Sequence, residues 1–85
     1  MQIMIDGSNN ISQEVEALTR QIAEHPHDDA LYLHRGMLYW SLGRYGAAIS
    51  DYERAAAINH ESAAVQALEM SRSVMDFFNH DLYNP

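Results

Sequence analysis

Sliding the chain against itself by 34 residues lays one apolar helix face on another. Ile11 falls on Tyr45, Val15 on Ile49, Leu18 on Tyr52 and Ile22 on Ala56, with Pro26 on His60 where the two segments end. Apolar residues recurring three and four positions apart share one face of an α-helix. An amphipathic helix that returns after a fixed interval, with another helix between the copies, constrains the chain to a stack of helical units, each burying its face on a neighbour. At 85 residues there is room for one such core.

The elements follow from the punctuation. Asn10, with Gln13 three residues later, suits the N-cap of a first helix. Pro26 ends that helix by pushing His25 out of helical dihedrals. Residues 1–9, before that cap, are expected to form a flexible lead. Asp28 or Asp29 can cap a second helix that runs to Leu42 and closes at Gly43. From Leu31 to Leu42 only His34, Arg35 and Ser41 are clearly polar, so this helix must be contacted from more than one side. A third helix, about Gly46 to Ile58, carries Ala48, Ile49, Tyr52, Ala55 and Ala56, and the short Gly43-Arg44-Tyr45 link makes it antiparallel to the second. A fourth begins after Ser62 with Ala64, Val65, Leu68, Met75 and Phe78 as its main stripe and Ala67, Met70, Val74 and Phe77 beside it. It is expected to fray near Asn79, leaving 80–85 as a tail.

The middle of the chain resembles the tetratricopeptide repeat (TPR) family. Tyr32, Gly36 and Tyr39 stand where that family has Trp, Gly and Tyr, Ala48 and Tyr52 match its Ala-x-x-x-Phe, and Leu42-Gly43-Arg44-Tyr45 is similar to its inter-helix turn. Arg35 departs from the family's usual Leu and His60 from its Pro, while Met70, 34 residues after Gly36, makes the last helix an unfaithful copy. The resemblance implies an all-α fold: TPR-like antiparallel helix hairpins, about four helices in a short right-handed superhelical stack. It divides the chain into a half repeat at 10–26, a full repeat at 29–62 and a capping helix at 63–79 within one helical domain spanning 10–80.

Composition narrows the function. Twelve acidic side chains against five basic ones give a formal charge of −7, which disfavours nucleic acid and anionic membranes as partners. All five cations are Arg, so there is no Lys for a Schiff base or a phosphate loop, and with no Cys there is no thiolate chemistry, zinc–thiolate site or disulfide. No run of about 18 apolar residues could span a membrane and no secretory leader opens the chain, so a cytoplasmic location is expected. No catalytic constellation is visible, and the reading is a non-enzymatic chain without cofactor. His25-Pro26-His27-Asp28-Asp29 has the composition of a metal cluster, but it lacks a His pair at i, i+4 and reads as a solvated turn ahead of a helix cap. His34 and His60 read as surface or turn residues, and Asp51, Glu53, Glu61 and Glu69 as a solvated acidic face.

In the family the first helix of each pair lines a concave groove for partner peptides or helices. Carried onto this chain, that implies partner-binding positions at Ala30, Leu33, Met37, Trp40 and Ser41. Leu33 and Met37 occupy places where some members hold a carboxylate clamp, so such a clamp is not expected. An apolar stripe with Met and Trp suits a protein or peptide partner presenting an amphipathic helix. The same stripe could instead be covered by the fourth helix or by a second copy in a homodimer, since the first helix is a half repeat without its own partner helix. Phe77, Phe78, Leu82 and Tyr83 make the tail apolar enough to fold back on the stack or to dock on a partner.

Overall fold

The computed structural model describes residues 7–83, with side chains described for residues 10–77. It is a run of four helices: α1 (Gly7–Glu24), α2 (Asp29–Ser41), α3 (Tyr45–Ile58) and α4 (Ala64–Tyr83). No strand occurs among the described residues. The all-α hairpin stack expected from the sequence is the observed architecture. Two boundaries differ. Helix α1 starts at Gly7, ahead of the expected cap at Asn10, so residues 7–9 are helical backbone rather than lead. Residues 1–6 lie outside the described residues. Helix α4 continues past Asn79 to Tyr83, since nothing in Asn79-His80-Asp81-Leu82 breaks a helix as Pro or Gly would. The side chains of Phe78, Leu82 and Tyr83, and all of Asn84 and Pro85, fall outside the described set, and with them the expectation that the tail folds back.

The caps are local chemistry. The Asp28 carboxylate accepts from the Ala30 amide at 3.1 Å with extended backbone at the cap, so Asp28 is the N-cap of α2. Gly43 takes φ +78°, the left-handed conformation that lets the chain leave α2, while its amide donates to the Trp40 carbonyl at 3.0 Å. The Ser62 hydroxyl accepts from the Ala64 amide at 3.0 Å just ahead of α4.

Helix α2 packs against α1 on one side and α3 on the other, as its apolar circumference required, and α4 packs on α3. Tyr32, Ala48, Tyr52, Ala55, Ala64 and Ile22 form the buried cluster, with Leu31, Leu33, Tyr39, Trp40, Ile58, Ala67 and Leu68 packed against it. Helix α2 approaches α3 closely at Gly36. A Cβ built there would lie 2.7 and 2.9 Å from the Tyr52 ring and 3.2 Å from the Ala48 carbonyl oxygen, so only hydrogen fits. Helix α1 buries one stripe (Val15, Leu18, Ile22) and turns polar residues outward.

Asp51 is a correction to the sequence reading. It is 5% exposed rather than part of a solvated face. Its carboxylate takes two hydrogen bonds from Arg35, Nε to Oδ2 and Nη2 to Oδ1, each 2.8 Å, and Arg35 Nη1 donates to the Thr19 hydroxyl at 3.1 Å. One guanidinium thereby joins α1, α2 and α3. Arg35, which departs from the family's usual Leu, and the buried Asp51 are halves of one compensated pair. The bidentate bond holds the proton on Arg35 even more firmly than usual, against a smaller opposing effect of burial. Glu53 and Glu61 and Glu69 are exposed as expected, with Glu53 taking a surface hydrogen bond from Arg72 at 2.8 Å.

Candidate functional site: an apolar groove between α2 and α4

Helix α2 opens the α2–α3 hairpin and α4 follows it, and a groove of about 440 Å³ lined from both lies between them. From α2, Leu33, Met37 and Trp40 line it, at the i, i+4, i+7 spacing that puts them on one face. Tyr52 of α3 contributes to the lining. From the opposite side come Ala63, Gln66 and Ala67, then Met70, Ser71 and Val74. None of these residues is charged, so the groove has no means of clamping a terminal carboxylate.

Three of the five residues expected to bind a partner are brought together here, and two are not. Ala30 and Ser41 are exposed and do not line the groove. They sit about 60–80° round α2 from Leu33 at 100° per residue, and the Ser41 hydroxyl donates back to the Met37 carbonyl at 3.2 Å. Leu33 and Trp40 pack partly into the core cluster. The Trp40 ring also meets Tyr45, centroids 4.5 Å apart and planes tilted by 56°. Met37 remains 54% exposed, so α4 stands across the groove without covering it.

Met70, at 68% exposed, and Val74 complete the opposite wall. Neither was singled out as a site from the sequence, although the stripe Ala67-Met70-Val74-Phe77 beside the main face of α4 was the signal. The same stripe runs on to Phe77, 75% exposed. The cations lie elsewhere. Arg44 sits over Tyr39 at 4.8 Å, Arg54 over Tyr32 at 5.7 Å, Arg35 is paired inside the stack, and Arg72 bonds Glu53.

No group of three or more His, Cys, Asp or Glu that could hold a metal is found among the described residues, and His25 and His27 are exposed in the turn. No described helix is long and apolar enough to cross a membrane.

Residues 30–62, covering α2, the turn, α3 and the start of the next link, match the model of the tetratricopeptide repeat. The α2–α3 hairpin is one tetratricopeptide repeat. The repeat accounts for the hairpin of α2 and α3 and for Gly36 at their close approach. TPR units build protein–protein interaction modules that are in general non-enzymatic. No curated protein and no solved structure matches the chain.

Proposed function

We propose that this TPR protein binds an apolar helical or extended segment of a partner protein in the groove between α2 and α4. The observation that carries the reading is the open, uncharged lining, with Met37 and Met70 facing solvent from its two sides and Trp40 at one wall. Flexible thioethers adapt to varied apolar side chains, and helix-in-groove recognition needs a lining of this kind. The net charge of −7 favours encounter with segments whose polar side is cationic. A cytoplasmic setting fits the lack of Cys.

The test is titration with a synthetic amphipathic helical peptide free of Trp, carrying Leu at i, i+4 and i+7, followed through the fluorescence of Trp40, the one Trp of the chain. Saturable binding that Met70→Asp abolishes and Glu16→Lys leaves intact supports the groove. Equal loss in both variants, or no binding at all, refutes it.

A second reading is homodimerisation, favoured by the exposed run Met70, Val74 and Phe77 on α4. Like net charge opposes it. Light scattering over a concentration series separates the two: a monomer leaves the groove available, and a dimer that Met70→Asp dissociates would assign the groove to a second copy.

A further inference from the structure

Resting on the groove reading above, we infer that Met37 and Met70 form an oxidation site that switches the groove from apolar to polar. The chain has no Cys, so thioethers are its sole oxidisable sulfurs. Of its five Met, two are large exposed apolar residues that both line the groove, one from α2 and one from α4. Met75 of α4 is only partly exposed. Exposure governs how readily a thioether meets an oxidant, and among the described residues the exposed thioethers belong to the proposed binding surface.

The step balances with a peroxide as oxidant. The thioether sulfur attacks one oxygen of hydrogen peroxide, an S–O bond forms as the O–O bond breaks, and the sulfoxide and one water result. Sulfur is oxidised by two electrons and the peroxide is reduced by two. A sulfoxide is a strong acceptor on a side chain that was apolar. Two of them, one on each side of a lining with no charged residue and only Gln66, Ser71, the Tyr52 hydroxyl and the Trp40 indole N–H as polar side-chain groups, would leave acceptors that an apolar ligand cannot satisfy. Neither thioether is buried in the core, so the helical stack itself should survive the change.

The experiment treats the full chain with hydrogen peroxide, locates each added oxygen by peptide mass spectrometry, and measures affinity for the Leu-bearing helical peptide, made without Met. The expected result is oxidation at Met37 and Met70 ahead of Met75, unchanged helical circular dichroism, and at least a tenfold loss of affinity. Methionine sulfoxide reductases of both stereospecificities should restore binding. The double variant Met37→Leu/Met70→Leu, a volume-conserving change, should bind the peptide and keep its affinity in peroxide while Met1, Met4 and Met75 remain available to oxidise. Unchanged affinity in the oxidised chain, or loss of affinity in peroxide by the double variant, would overturn the inference and leave the groove intact. Failure of the unoxidised chain to bind any peptide would instead overturn the groove reading on which it rests.

Discussion

Asp51→Ala removes both acceptors of Arg35 Nε and Nη2 and leaves a guanidinium whose side chain is 17% exposed, with the Thr19 hydroxyl as its remaining hydrogen-bond acceptor. Breaking a fully buried pair from one side costs about 3–5 kcal/mol. Arg35 retains some solvent and the Tyr32 and Tyr39 rings at 5.9 and 5.6 Å, so the expected cost falls at or below the bottom of that range, about 2–3 kcal/mol. A domain of this size has a total stability of about 4–13 kcal/mol. At about 4–8 °C per kcal/mol, the Tm should fall by about 8–24 °C. The pair as a whole is worth far less than its breakage suggests. Replacing both partners, Arg35→Leu with Asp51→Leu, exchanges two desolvated charges for apolar volume and should recover most of the loss. Urea unfolding of the wild type, Arg35→Leu, Asp51→Leu and the double variant closes the cycle, with Asp51→Ala measured beside it. The reasoning fails if Asp51→Ala costs less than about 0.5 kcal/mol, the range of a surface substitution, or if the double variant is as unstable as the sum of the singles.

Two further expectations concern the same hairpin. Gly36→Ala gains up to about 1 kcal/mol of helix propensity but drives a methyl into the buried Tyr52 ring and the Ala48 carbonyl, so thermal melts should show a net loss of about 1–2 kcal/mol; a gain in Tm would mean that α2 and α3 separate freely. Burial first, and the neighbouring Asp51 carboxylate second, raise the Tyr52 phenol above its ordinary value. Because the folded chain holds this proton more tightly than the unfolded one, the stability tied to it is complete below the ordinary phenol pKa of about 10 and is lost as pH rises through the folded value. Tyr52→Phe should flatten that alkaline loss in denaturant titrations, and an identical alkaline limb in both proteins would count against it.

Much of the fold was legible because its signals are local. The spacing of Val15, Leu18 and Ile22, the break at Pro26, the Asp28 cap and the left-handed Gly43 each act within one or two turns of chain, and each is where the periodicity put it. The ends were less legible. No single residue dictates where α1 begins, and Gly7-Ser8-Asn9 is as compatible with a first helical turn as with a lead. Asp51 was misread because charge outweighed position. Ala48, Asp51, Tyr52 and Ala55 share the i, i+3, i+4, i+7 spacing of a buried stripe, which places Asp51 inside whatever its chemistry. Its partner, 16 residues earlier on another helix, could be paired with it only once α2 and α3 were docked. For the groove, the α2 wall followed from the repeat at Leu33, Met37 and Trp40. Ala30 and Ser41 were too far round the helix to join it, and the α4 wall depended on a tertiary approach that no local pattern encodes.

The central claim is that the groove between α2 and α4 is where a partner segment docks, and backbone amide chemical-shift mapping by NMR with the Leu-bearing peptide tests it most directly. The account predicts saturable shifts clustered at Leu33, Met37 and Trp40 on α2 and at Gln66, Met70 and Val74 on α4, with Glu16 and Arg20 on the outer side of α1 unmoved. Shifts concentrated on α1, or spread evenly over the acidic surface, would contradict it.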